Sequence, residues 1–326
     1  MEGGTILAPR VEQLTPRERR EARRLDILAA VLDHRYLTAE LLRVLFPPDP
    51  EAQARGTEIR RRAAAAETAA RRPSGPNDYM TRELRSLASD GFLVTPQAAR
   101  SVRNAPAVFC LTYRGARRLL DEGRAAPEDV RTRMTKSATA GSWGPIDHEL
   151  ANAQVHAALL TACERRGLSV LWVRYPRRTA ELRFELPGRG PRLEPDGYVV
   201  IETEEGGRRR RLHNFIEVER STGPTGMKAR YARYVTLFKL LAAASRTSPG
   251  SLFPEPERDP NPVTQLYRVV TYAKSVSYRE SLRAAAAEIG TDWGGMFFAH
   301  LAEVNPETVL GPLYRTPRGQ EVVGLL

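Results

Sequence analysis

The chain has 326 residues, of which 41% are hydrophobic and 27% charged, ordinary globular values for a length that suggests two domains, each with its own core. No apolar run approaches the ~18 residues of a membrane span, and the start, MEGGTILAPRVEQLTPRERR, has no apolar stretch of signal-peptide length, so the sequence reads as cytoplasmic and free of membrane. Fifty Lys and Arg against 39 Asp and Glu give a formal charge of +11, which favours polyanionic partners through counterion release. Residues 1–140 hold 25 basic and 18 acidic residues, leaving 25 and 21 for the remainder, so the excess leans toward the N-terminal part. Cys110 and Cys163 sit in FCLT and TACE with no Cys-x-x-Cys. They read as reduced structural thiols, without the Cys/His cluster of a zinc site.

In chain order, Arg19 to Phe46 predicts two helices. Leu25, Ile27, Leu28, Val31 and Leu32 recur at helical spacing, and Tyr36 ends the first helix. Thr38 caps the second, whose Leu41, Leu42, Leu45 and Phe46 face inward before Pro47-Pro48 stops it. Residues 47–76, with Pro, Gly, the run Arg60-Arg61-Arg62 and Ala63 to Ala66, read as a flexible insertion. Its Arg run is either a solvated face or a DNA-backbone contact. A third helix from about Asn77 carries Tyr79, Arg82, Leu84, Leu87 and Ala88 to Gly91, which suits a helix C-terminus. Phe92-Leu93-Val94 is then a strand, the polar loop with Arg100 and Arg103 a turn, and Ala107 to Thr112 a returning strand. Another helix follows, with Ala116, Leu119 and Leu120 inward.

Three helices and then a hairpin with a basic tip is winged-helix order. Residues 1–135 are assigned to this domain. A helix with Tyr79, Arg82 and Arg85 on its open face suits the major groove. Arg100 and Arg103 would lie over phosphates, which position a protein without reading sequence. The stretch RELRSLASDGFLV followed by FCLTYRGARRL resembles winged-helix regulators and plasmid accessory proteins.

Residues 136–145, small and Gly-containing, read as a linker to a second domain at 146–326. IDHELANAQVHAALLTACERRG predicts a helix, Leu168 to Arg174 a strand, and PRLEPDGYVVIE a strand begun through Pro195-Asp196-Gly197. Glu202 to Arg211 is a charged turn whose arginines are either solvated or phosphate-binding, and LHNFIEVER is a buried strand. Gly223 to Ala244 reads as a helix, QLYRVVTYA a strand, SYRESLRAAAAEI a helix and GGMFFAHLAEV a last strand. The order αβββαβαβ implies a mixed sheet flanked by helices, an α/β (α+β) fold.

Two acidic signals stand out. Asp196 lies at the start of a strand, and Glu217 and Glu219 alternate along another and are expected on opposite faces. Antiparallel pairing of the two strands would bring Asp196 to one of the glutamates. Paired carboxylates bind Mg²⁺ or Mn²⁺ and activate water, and Lys228, about one turn into the next helix, would face a scissile phosphate. Glu149, at the start of its helix, is a third candidate metal ligand, with His148 beside it. Glu217 is equally open to a structural ion pair with Arg220, Arg230 or Lys228, since a buried carboxylate needs a partner. No P-loop, Gly-x-Ser-x-Gly or His-Glu-x-x-His occurs, which excludes those chemistries.

The arrangement PD…ExE…K resembles the PD-(D/E)xK nuclease pattern. It departs from that pattern where Glu219 stands in the usual lysine position. The whole chain, through His148-Glu149-Leu150, EPDGYVV and FIEVERSTGPTGMKARYARY, resembles the replication-relaxation family over roughly residues 20–300. The resemblance implies a winged helix joined to a nuclease-like fold, in a protein of bacterial plasmids or phages. Double-stranded DNA is the implied partner, with a relaxase or replication protein as a second and a homodimer as a further option. Two readings stay open: a DNA-binding accessory protein for origin opening, replication or mobilisation, and a Mg²⁺- or Mn²⁺-dependent nuclease using Asp196, Glu217 and Lys228.

Overall fold

The computed structural model describes residues 15–47, 78–103, 106–134, 142–174, 193–220, 223–247, 264–289, 295–319 and 321–326. The expected insertion, beyond Pro47, and residues 135–141 at the expected linker lie outside them. The chain forms two compact units, Met1–Trp143 and Gly144–Leu326, and the whole is mixed α/β with two sheets.

In the first unit, helix α1 (Pro16–His34) begins with a capping box in which Thr15 and Glu18 exchange hydrogen bonds, and Pro16 occupies the first turn. A two-residue strand β1 (Leu37–Thr38) follows and was not legible from pattern. Thr38 then caps α2 (Ala39–Leu45), accepting from the Leu41 amide at 3.2 Å. Helix α3 (Asp78–Ser89) ends at Gly91, whose φ of +76° is the left-handed value expected there. Strands β2 (Leu93–Val94) and β3 (Val108–Leu111) are antiparallel, and β1 joins them in the order β1-β3-β2. The segment between β2 and β3, expected as a loop, contains a short helix α4 (Gln97–Ser101).

Helix α5 (Tyr113–Asp121) packs so closely that a Cβ on Gly115 would lie 2.4 Å from the Phe92 carbonyl oxygen. A further helix α6 (Pro127–Met134) ends just before the expected linker. Ile27, Leu28, Val31, Leu42, Leu84, Leu87 and Leu119 fill the core of this unit. Glu83 is buried among them and is held by Arg20 at 3.2 Å and Arg24 at 3.4 Å.

The second unit opens with α7 (Trp143–Arg165) and builds a seven-stranded sheet. Strands β4 (Ser169–Arg174), β5 (Gly197–Glu205) and β6 (Arg208–Glu219) form an antiparallel meander. Helix α8 (Pro224–Thr247) leads to β7 (Thr264–Ala273), parallel to β6, and α9 (Val276–Ala287) leads to β8 (Met296–His300), parallel to β7. The order αβββαβαβ is as the pattern predicts. Two short strands, β9 (Tyr314–Arg315) and β10 (Val322–Val323), come after it, with β10 at the edge. One face of the sheet, with Val199, Leu212, Ile216, Val218 and Val270, clusters with Ala151, Val155 and Leu159 of α7. The other, with Tyr198, Phe215, Val269 and Phe298, clusters with Tyr231, Tyr234 and Phe238 of α8 and Leu282 of α9.

Glu217 and Glu219 share the α8/α9 face, contrary to the expectation of opposite faces. Residues two apart complete one full strand period, so Ile216 and Val218 take the opposite side. The β5–β6 hairpin turns through Gly206 and Gly207, both with positive φ. Across it, Glu202 accepts from Arg209 at 2.5 Å and from Arg211 at 3.2 Å, so two of the four arginines are spent on a neighbouring carboxylate.

Candidate functional site

The first unit presents a helix with two distinct sides. Met80, Leu84 and Leu87 of α3 are buried, while Tyr79, Arg82 and Arg85 are exposed. Two further cations come from neighbouring helices. The Arg23 guanidinium lies 5.0 Å over the Tyr79 ring, a cation–π contact. Arg43 donates to the Thr81 hydroxyl at 3.1 Å. Arg100 and Arg103 are exposed between β2 and β3, Arg100 on α4. Sequence reasoning placed Tyr79, Arg82 and Arg85 on one open face but missed Arg23 and Arg43, which sit among ordinary helix charges and become part of this surface only through packing.

In the second unit, a polar cluster forms where β5 starts and β6 ends. Asp196 precedes β5 in a Pro-Asp-Gly turn. Its amide donates to the Ile216 carbonyl at 3.0 Å, and its Oδ2 accepts from the Val218 amide at 2.9 Å. The side chain thereby continues the ladder between the two strands by one step. Oδ1 lies 3.2 Å from His148 Nε2 on α7. The hydrogen bond to Asp196 raises the pKa of His148 above its ordinary value against the pull of burial, with Glu149 and Glu219 adding to the rise. Arg220 pairs with Asp147 and ties the end of β6 to α7.

Glu217 is 3% exposed. Its Oε1 accepts from Arg230 Nε at 2.8 Å and from the Tyr234 hydroxyl. Burial pushes the carboxyl up to about 8; Arg230 opposes the rise and Asp196 adds to it. Arg230 also donates to the Glu194 carbonyl. Burial works to lower the pKa of its guanidinium, but Glu217 outweighs burial and the net shift is upward. Glu219 is met by the Tyr278 hydroxyl of α9 at 3.5 Å.

Among the sequence-predicted residues, Asp196 and Glu217 therefore come together across the β5–β6 pair, and Asp196 adds to the rise at Glu217. Lys228 does not join them in any hydrogen bond or ion pair: its ammonium meets Glu288 at 2.5 Å, with 42% of the side chain exposed. The basic group against Glu217 is Arg230. Among the described residues, no group of three His, Cys, Asp or Glu is arranged to hold a metal ion, so Glu149, Asp196 and Glu217 do not form a ligand set. A hard divalent ion needs open oxygen ligands. Asp196 uses both of its oxygens within the protein, and Glu217 already faces a guanidinium and a hydroxyl. The residues present do not fit Mg²⁺ or Mn²⁺.

A family model described as replication-relaxation matches residues 28–249, well over half of the chain. The chain belongs to the replication-relaxation family. The match runs from α1 through α8, so it includes α3, Asp196, Glu217 and Arg230. No curated protein and no solved structure matches the chain. Family membership suggests a role related to replication or mobilisation. No described helix of this replication-relaxation protein is long and apolar enough to cross a membrane.

Proposed function

We propose that this replication-relaxation protein is a cytoplasmic DNA-binding accessory factor of a plasmid, phage or other mobile element, assisting origin opening, replication or mobilisation. The observation that carries the reading is α3, whose apolar side is buried and whose other side shows Tyr79, Arg82 and Arg85 to solvent. A winged-helix domain uses such a helix in the major groove, where arginine reads guanine edges through paired hydrogen bonds. Arg100 and Arg103 supply the wing's phosphate contacts, which set orientation. The second, nuclease-like unit then adds backbone contacts or recruits a relaxase or replication protein, and a homodimer would double the DNA site.

The test is duplex binding in EDTA across a salt series. Tight binding that weakens steeply with salt supports the proposal, and a flat dependence of log K on log salt refutes it. The competing reading, a Mg²⁺- or Mn²⁺-dependent nuclease, draws on one observation: Asp196 is close enough to Glu217 to raise its pKa. It requires nicking of supercoiled plasmid in Mn²⁺ that Asp196→Ala and Glu217→Ala abolish. Intact plasmid after long incubation removes it for that substrate.

A further inference from the structure

We infer that Arg230 is the resident cation of the Asp196–Glu217 cluster, standing where a nuclease would hold its divalent ion, so that the second unit is assembled without metal. The inference deepens the proposed function, because it gives the reason why a nuclease-like unit would hold DNA or a partner and leave it uncut.

The first argument is the set of atoms that Arg230 touches. Nε donates to a carboxylate oxygen of Glu217 on β6, and a terminal nitrogen donates to the main-chain carbonyl of Glu194 before β5. Asp196 raises the pKa of the guanidinium further, which puts its charge within electrostatic reach. Carboxylate and carbonyl oxygens are the hard donors that a divalent ion collects. Here a planar, permanently protonated guanidinium collects them instead, and its fixed fork suits two acceptors at once.

The second argument is access. Glu217 has 4% of its side chain exposed and Arg230 has 32%. Arg230 is thus the more solvent-facing partner of the pair. An ion coming to Oε1 would have to displace Arg230 while Tyr234 still donates to that same oxygen. The third argument is energetic. A buried carboxylate is costly without a counter-charge, and Arg230 provides one at all times, whereas an ion would have to be bound from solution.

The experiment is Mn²⁺ titration of the whole chain and of Arg230→Ala at pH 8, since an ion binds only the ionised carboxylate. Bound Mn²⁺ is read by loss of the free-ion electron paramagnetic resonance signal and by melting temperature. The wild type is expected to show no saturable binding and the same melting temperature in Mn²⁺ and in EDTA. Arg230→Ala is expected to melt lower in EDTA, to be rescued by Mn²⁺, and to bind Mn²⁺ saturably. Adding Glu217→Gln to that variant should erase the rescue.

Saturable Mn²⁺ binding by the wild type that Glu217→Gln removes would overturn the inference, whether or not Arg230→Ala folds. So would a folded Arg230→Ala that ignores Mn²⁺. Duplex affinity measured in the same buffers reports separately on the DNA-binding proposal, because its loss would leave the Mn²⁺ result standing.

Discussion

Replacing Arg82, Arg85, Arg100 and Arg103 together by alanine is the most direct perturbation of the proposed DNA surface. All four are exposed, and the buried side of α3 rests on Met80, Leu84 and Leu87, so the fold should survive. The magnitude follows from counterion release, in which each neutralised phosphate adds about 0.9 to the slope of log K against log salt. If each arginine meets one phosphate, the four account for a slope of about 3.6. A fourfold rise in salt, from about 50 to about 200 mM, then weakens the wild type by roughly 150-fold through these four contacts alone. The variant should lose that share of the dependence and keep only what its other cations supply. Fluorescence anisotropy of a labelled duplex across the salt series measures both slopes, with circular dichroism checking the fold. Tyr79→Ala provides an uncharged control that should weaken binding while changing the slope little. A folded quadruple variant with the wild-type slope would refute the placement of the DNA surface on this unit.

Other outcomes follow from the second unit and the core. Above pH 8, where Glu217 is ionised, Glu217→Ala leaves the guanidinium of Arg230 without its carboxylate and should cost about 3 kcal/mol, the low end for a broken buried pair because 32% of the Arg230 side chain is exposed; Glu217→Gln, which keeps an acceptor, should cost less, and denaturant midpoints rank the two. His213 accepts from the Tyr198 hydroxyl through Nδ1 and meets Gln265 Oε1 through Nε2, the pattern of a neutral imidazole protonated at Nε2. Burial lowers its pKa from 6.5 to about 4. The unfolded chain therefore binds the extra proton first, and stability present above pH 6.5 is lost as pH falls toward 4, by about 3 kcal/mol. His213→Gln should flatten that part of a stability-versus-pH curve, and an unchanged curve would refute the assignment. Gly115→Ala would set a Cβ 2.4 Å from the Phe92 carbonyl oxygen and 2.8 Å from Leu111 Cδ1, so about 1–3 kcal/mol should be lost from thermal or urea unfolding. Burial pushes the thiols of Cys110 and Cys163 up to about 12 and about 11; both should stay unreactive to a thiol reagent at pH 8 until the protein unfolds.

Long periodic segments were legible in the sequence because their pattern is their packing. The apolar spacing of Leu25, Ile27, Leu28, Val31 and Leu32 is the buried face of α1, and the sequence reading of β4 to β8 and the helices between them matches the sheet in order. Short elements were illegible for a related reason. Two residues at Leu37–Thr38 contain less than two strand periods, so β1 exists only because β3 is there to pair with it. The same holds for β9 and β10 at the far edge of the large sheet. Helix α4, at five residues, is likewise too short to display a helical repeat.

The site was half legible, and the missing half is a matter of helix phase. Asp196 and Glu217 could be paired because antiparallel strands bring their residues together in fixed register, Gly197 opposite Ile216. The basic partner lies on a helix, where residue type and distance along the chain do not decide direction. Lys228 and Arg230 are two residues apart, about 200° around the axis, so both cannot face the same carboxylate. Arg230 and Tyr234 are four apart and lie one above the other on one face. Tyr234 is fully buried against the sheet, which fixes the phase of α8 and brings Arg230 with it to Glu217. Lys228 is thereby turned toward Glu288. Counting acids and lysines singles out Lys228. Asking which cation lies one turn from Tyr234, the tyrosine that meets Glu217, singles out Arg230.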